Sequence, residues 1–166
     1  MTNEWLVYGY EVDMFKRTLE LCGRDTLASY SRPIQNAIVE SLLLHTRILV
    51  DILLSRGIDP DNDGITLKTL LPDFEPSRLG ELKDRYGNGK TVDSPCWTIN
   101  KRLAHSTTVR TEGFDYLPKI DPLRPVIQQC LDEVEAERGK RGLEQMKRPE
   151  AAVAVAFLNL TTSSQP

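Results

Sequence analysis

The segment INKRLAHSTTV, residues 99–109, has the residue types best suited to chemistry. It contains His105, one of the two histidines of the chain. An imidazole has an unperturbed pKa of about 6.5, so it can donate or accept a proton near neutral pH. Lys101 lies four residues before His105, and on a helix both side chains would share one face and could address a phosphate. Asn100 and Arg102 flank that face.

The second histidine, His45, lies in the apolar segment ESLLLHTRILVDILL. A polar group in such a segment needs a partner once it is buried, so it belongs either to a structural hydrogen-bond network or to a site. His45 lies on the same helical stripe as Ile38, Ser41, Ile48 and Ile52. This pattern favours a hydrogen-bonded core histidine.

The same segment carries a second polar face. Arg47 and Asp51 are four residues apart, and Glu40 precedes Arg47 by seven, so the three side chains lie on one side of a helix. We expect them to form a buried ionic ladder. Together with His45 and Asn100, they are the candidate ligand-binding residues.

Charge is distributed unevenly along the chain. The net charge is −3, so there is no global attraction to nucleic acid or to anionic lipid. Residues 58–84 contain seven acidic and three basic residues, whereas residues 85–110, around His105, contain five basic residues and one acidic residue. Binding of an anionic partner would therefore be local, and the alternative is that these are solvated surface residues.

Several classes of protein are disfavoured. The three cysteines are widely spaced and fit helical patterns, so they indicate buried thiols in a reducing compartment rather than a disulfide framework. Two histidines and the incomplete calcium-loop pattern DPDNDG do not make a metal site, and we expect neither metal nor cofactor. No apolar run is long enough to span a membrane, and we expect a cytoplasmic protein.

Apolar spacing predicts an all-α protein. Helices are expected from about Trp5 to Cys22, Pro33 to Ser55, Ser77 to Tyr86, Pro95 to just beyond His105, and Asp121 to Gly139, with one helical turn at 66–71. Residues 1–138 would form a single helical bundle domain, and residues 139–166 a basic and then apolar C-terminal tail.

Two of these helices should supply most of the apolar core. The first has a heptad-like seam that offers more apolar surface than one neighbour needs; its residues are Trp5, Tyr8, Val12, Phe15, Leu19 and Cys22. The second is apolar almost all round, so we expect it to be central, with Leu43, Ile48 and Ile52 buried.

The pairing of ESLLLHTRILVDIL with INKRLAHST resembles the HEPN (higher eukaryotes and prokaryotes nucleotide-binding) superfamily, in particular its abortive-infection-associated subgroup. The resemblance covers residues 34–106. The family motif is an arginine and a histidine with four to six residues between them. His105 matches the family histidine, Ala104 the small residue before it and Lys101 the often polar residue after the arginine. Asn100 stands where the family has its arginine.

The resemblance implies an antiparallel bundle of four or five helices, dimeric, acting as a metal-independent endoribonuclease or toxin-like protein of a defence or toxin–antitoxin system. His105 would be the general acid or base, with Lys101 and Arg102 offsetting charge on the phosphate. An antitoxin-like protein would be a further partner. The alternatives are a non-catalytic module that binds RNA, a nucleotide or a protein, and a purely structural helical partner.

Overall fold

The computed structural model describes residues 3–56, 64–104 and 117–143. These residues are mostly helical and contain no strand, so the all-α prediction is confirmed for the described part of the chain. The helices are α1 (Asn3–Leu21), α2 (Arg24–Ala28), α3 (Arg32–Leu53), α4 (Leu67–Leu70), α5 (Leu79–Tyr86), α6 (Pro95–Ala104), α7 (Leu117–Ile120) and α8 (Arg124–Lys140).

Eight helices in the described residues exceed the four or five expected, because three of them have only four or five residues. The short helix α4 shows how such an element forms. The Thr66 side chain accepts a hydrogen bond from the Thr69 backbone at 3.2 Å, and the Thr69 hydroxyl accepts one from the Thr66 backbone at 3.0 Å. This reciprocal cap satisfies backbone donors that a single turn leaves unpaired. The predicted turn at 66–71 is therefore confirmed, whereas α2 and α7 were not predicted.

The most extensive packing between helices in the described residues joins α1 to α3. The apolar seam of α1 is buried within this domain. Leu19 is partly buried and packs against the core, and the other seam residues are buried, namely Trp5, Tyr8, Val12, Phe15 and Cys22. The expectation that the seam leaves apolar surface for a second molecule is wrong. The large exposed apolar residues of α1 are instead Leu6, Val7 and Tyr10, which we call the outer face of α1.

Helix α3 is buried over only part of its length. Its buried residues lie between Leu42 and Leu53, whereas Ile34 and Leu44 are 48% and 43% exposed. Leu43 and Ile52 are buried as predicted, but Ile48 is half-buried. A helix of 22 residues is about 33 Å long, and residues 32–41, at its N-terminal end, include no buried residue. The prediction of burial all round is therefore wrong for its N-terminal half, and exposed Leu44 shows that one side of the second half reaches solvent as well.

The remaining long helices close the core. In α6, Cys96 and Ile99 are buried and Leu103 is half-buried, as predicted. Helix α8 begins at Arg124, later than the predicted Asp121, because residues 121–123 form a turn and Pro125 occupies the first turn. Its predicted apolar stripe is buried, namely Leu123, Ile127, Cys130 and Val134. The three cysteines are buried free thiols, as predicted.

All three acidic residues of the DPDNDG pattern, Asp59, Asp61 and Asp63, lie outside the described residues, and so do residues 144–166, the larger part of the predicted tail. In the segments that are described, no helix combines the length and apolar character needed to cross a membrane.

Truncation of Leu49 tests the central position of the second half of α3. Leu49 is fully buried, so Leu49→Ala should lower the free energy of unfolding by about 2–5 kcal/mol. Leu44→Ala, on the same helix but at an exposed position, should change it by less than about 0.5 kcal/mol. Urea unfolding followed by circular dichroism measures both; equal losses would contradict this packing.

Candidate functional site

A structured loop determines where α6 begins. Gly87 has φ +70°, and a Cβ there would lie 2.8 Å from the Cβ of Ser94, so glycine is required at this close approach. The Asn88 side chain accepts hydrogen bonds from the backbone of Lys90 and Thr91, at 2.9 and 3.0 Å. Ser94 Oγ in turn donates to the Asn88 carbonyl and accepts from the Trp97 backbone, which caps the helix. The loop therefore anchors the helix that carries the candidate residues.

Helix α6 holds Lys101 against an aromatic ring. The Lys101 ammonium lies 5.8 Å from the centroid of the Trp97 ring, a cation–π contact between half-buried residues one turn apart. No carboxylate of the described residues forms an ion pair with it. Arg102 belongs to the same helix, and His105 lies outside the described residues. Lys101 is thus a cation held in place but not neutralised by a described acidic side chain.

Other cations near α6 have structural partners. Lys119 donates to the Asp93 carbonyl at 2.7 Å, and Arg85 donates to the Pro122 carbonyl at 2.9 Å. Arg56 donates to the Gly87 carbonyl at 3.0 Å and lies over the Tyr86 ring, 5.4 Å from its centroid. These contacts bind the loops around α6 to the rest of the fold. Lys119, Arg85 and Arg56 are thus held by backbone carbonyls, whereas the contact of Lys101 is with an aromatic ring.

Asn100 is turned towards the interior of the fold. Its amide nitrogen donates to Cys96 Sγ at 3.6 Å, and a Cβ at Gly89 would lie 3.4 Å from that nitrogen. Its amide oxygen is buried and has no hydrogen-bond partner among the described residues. At this position the chain therefore presents a neutral amide and no cation.

Tyr86 was not a candidate from the sequence, which predicted it as the last residue of a helix. It is fully buried, and its hydroxyl also lacks a hydrogen-bond partner in the described part of the chain. Burial raises the pKa of Tyr86 far above its usual value, and the neighbouring Asp51 carboxylate and Cys96 thiol raise it further. Asp51, Tyr86, Cys96 and Asn100 therefore lie together between α3, α5 and α6, and we call them the polar junction.

The α3 residues do not form the buried ladder that was predicted. Arg47 and Asp51 pair at 3.7 Å with 39% and 36% of their side chains exposed, and Glu40 is exposed. The prediction is wrong because this face of α3 reaches the edge of the core. Burial nonetheless raises the pKa of Asp51, although the Arg47 and Arg56 guanidinium groups oppose the shift. A pair of this length and exposure contributes little stability, so Arg47 is held only loosely.

His45 lies on the other side of α3, where it faces α1. Its Nδ1 donates to Glu11 Oε2 at 2.6 Å, with both side chains buried, and the edge of the Tyr10 ring packs against the imidazole. The prediction of a hydrogen-bonded core histidine is confirmed. The structure therefore places His45 in the α1–α3 core and brings Asn100, Asp51 and Arg47 to the α6 side.

The described residues contain no group of three or more His, Cys, Asp and Glu side chains placed to hold a metal ion. No known family model, curated protein or solved structure matches this chain.

The Glu11–His45 pair should be structural, and a double-mutant cycle tests this. His45→Leu leaves the Glu11 carboxylate buried without its partner, so it should cost about 3–5 kcal/mol of unfolding free energy. The double variant Glu11→Leu, His45→Leu removes both polar groups and should recover much of that loss. Chemical unfolding of the three variants measures the coupling energy; additive losses would contradict a specific pair.

Proposed function

We propose that this chain is a HEPN-like antiparallel helical bundle that acts on RNA as a metal-independent, toxin-like endoribonuclease of a defence or toxin–antitoxin system. One observation carries the proposal: α6 holds the Lys101 ammonium over Trp97 with no described carboxylate to neutralise it. A nucleic-acid phosphate would supply the missing negative charge. Because His105 follows Lys101 by four residues, the cation and the proton-transferring group would act on the same phosphate.

In the proposed reaction the ribose 2′-oxygen attacks the adjacent phosphorus. The 2′-hydroxyl proton passes to a base, the bond to the 5′-oxygen breaks, and that oxygen takes a proton from an acid. His105 acts in one of these proton transfers. Lys101 and Arg102 stabilise the negative charge that develops on the phosphate oxygens. The products are a 2′,3′-cyclic phosphate and a free 5′-hydroxyl.

The geometry of Asn100 favours a second candidate, a module that binds RNA or a nucleotide without cleaving it. Its amide stands at the position of the family arginine, carries no charge and is turned towards Cys96. Phosphate binding by Lys101 does not depend on that position, whereas stabilisation of a transition state would have one cation fewer. Cleavage and binding therefore need separate measurements.

Cleavage of single-stranded RNA in the presence of a chelator tests the first candidate. His105→Ala should lower the rate by about 10²–10⁴, the usual contribution of a general acid or base. Lys101→Ala should lower both the rate and the affinity, and it should flatten the salt dependence of binding. Lys68→Ala makes the same charge change at an exposed site on α4 and should leave both unchanged.

The two candidates give different results in this experiment. Salt-sensitive binding that depends on Lys101, with no cleavage by the wild-type protein, would leave only the binding module. A wild-type protein that does not cleave RNA and binds neither RNA nor nucleotides would contradict both.

We also propose that the protein is a symmetric homodimer whose contact uses the outer face of α1. Leu6 and Tyr10 are each 48% exposed and Val7 is 40% exposed, which makes an apolar surface on one helix. Light scattering at micromolar concentration should give twice the chain mass, and Leu6→Ser with Tyr10→Ser should give the single mass. Val92→Ser, at an exposed apolar residue elsewhere, is the control and should stay dimeric. A monomeric wild-type protein would contradict the proposal.

A further inference from the structure

Trp97 lies on a side of α6 that is turned away from the core. Ile99, two residues later, is fully buried, and two residues on a helix are about 200° apart around its axis. Trp97 itself is only half-buried, whereas Trp5, the other tryptophan of the chain, is 6% exposed and belongs to the core. Part of Trp97 is therefore accessible from solvent.

The group that lies over the Trp97 ring is a cation that can move away. The Lys101 ammonium is 5.8 Å from the ring centroid, close to the limit of about 6 Å for a cation–π contact. Lys101 is only half-buried, and an ammonium on a flexible stem can change direction without any change in the backbone. When the ammonium turns to a phosphate, the ring face that it covered becomes free.

A ring and a cation one helical turn apart match the two parts of a nucleotide. A base stacks on an aromatic ring more strongly than an exposed cation does, so a base can replace the ammonium while the ammonium binds the adjoining phosphate. We propose that Trp97 binds an unpaired RNA base by stacking, with Lys101 on the phosphate, so that this site takes single-stranded RNA. The inference rests on the proposed function and names its substrate class.

A duplex cannot supply such a base. Paired bases are stacked on one another, whereas the bases of a single strand can be splayed out onto an aromatic side chain. Every base has a π face, so stacking on Trp97 should tolerate any sequence. Trp97, Lys101 and His105 follow one another at intervals of four residues, the spacing of one helical face. By this spacing the stacked base belongs to a nucleotide near the bond whose cleavage is proposed.

Quenching of tryptophan fluorescence tests access to the ring without RNA. Iodide should quench the Trp97 emission, because the anion is attracted to Lys101 beside an accessible ring, and the cation caesium should quench it less. Lys101→Ala should reduce quenching by iodide and increase quenching by caesium. Trp97→Phe gives the contribution of buried Trp5. If iodide quenches the wild-type emission no more than that of Trp97→Phe, the ring is enclosed and the proposal is overturned.

An oligomer without bases separates stacking from phosphate contact. Oligouridine and an abasic ribose-phosphate oligomer of equal length carry the same charge, and both are compared in the His105→Ala background, which prevents cleavage. Oligouridine should quench Trp97 and bind about tenfold more tightly than the abasic oligomer, which is within the range that stacking of one base gives. A duplex of oligouridine with oligoadenosine should leave the Trp97 emission unchanged.

Substitutions assign the two contributions. Trp97→Leu should lower the affinity for oligouridine about tenfold and leave that for the abasic oligomer unchanged, whereas Trp97→Phe keeps a ring and should retain most of the affinity. Lys101→Ala should weaken the binding of both oligomers alike. Tyr30→Leu removes an exposed ring elsewhere and should change neither affinity. Circular dichroism shows whether Trp97→Leu folds, and the comparison of the two oligomers needs no substitution of Trp97.

The outcomes distinguish this inference from the proposed function. Equal affinity for the two oligomers, or binding of oligouridine without a change in the Trp97 emission, would overturn stacking while binding through phosphates stands. Quenching by the duplex that equals quenching by the single strand would overturn the assigned substrate class. A protein that binds neither oligomer nor the duplex would contradict the proposed function and this inference together.

Discussion

The buried hydrogen bond between Glu11 and His45 is the constraint on which the arrangement of this protein depends. It joins α1 to α3 inside an otherwise apolar contact, where an unpaired carboxylate would be strongly destabilising. His45 and Arg47 are two residues apart, which places them about 200° apart around the helix. Fixing His45 against α1 therefore directs Arg47 and Asp51 to the opposite side, where α5 and α6 pack. The Glu11–His45 hydrogen bond thus orients the face of α3 that carries Arg47 and Asp51 and borders the candidate site.

The positively charged groups can be sorted by what holds them. Arg138 is 2% exposed and stacks on Trp5, with its guanidinium carbon 4.8 Å from the ring centroid, so it joins α8 to α1. Arg56 and Lys119 bind backbone carbonyls of the loops around α6. Removing a cation from water is costly, and the contacts of Arg138, Arg56 and Lys119 with rings and carbonyls offset that cost. Lys101, which lies over Trp97, and Arg47, which is weakly paired with Asp51, are both partly solvated, so each could exchange its present contact for a phosphate.

The longer helices could be predicted because each depends on local sequence: apolar spacing located α1 and α3, and Pro95 was correctly predicted to begin α6, whereas the short helices α2 and α7 were missed. The hydrogen bonding of His45 could also be predicted, since a buried imidazole requires a partner. The identity of that partner could not be predicted, because Glu11 lies 34 residues away in the sequence. Periodicity predicts which face of a helix is buried but not which residue of another helix packs on it. For the same reason the Arg47–Asp51 pair was wrongly predicted to be buried, and Tyr86 was missing from the predicted site: the sequence did not show which helices pack on that face of α3.

The polar junction shows a conflict between stability and function within one cluster. Phenylalanine in place of Tyr86 would keep the ring that Arg56 covers and remove an unpaired hydroxyl, so the fold gains nothing from that oxygen. An apolar residue in place of Asn100 would likewise remove an unpaired oxygen and lose only a weak contact to a thiol. Proteins carry such locally unfavourable groups mainly where function uses them, and the excess stability of the remaining core tolerates them. In this chain Asn100 lies on α6, next to Lys101, and Tyr86 lies beside that helix; other buried polar atoms of the described residues are also unpaired, among them the Tyr8 hydroxyl and Arg138 Nε and Nη1.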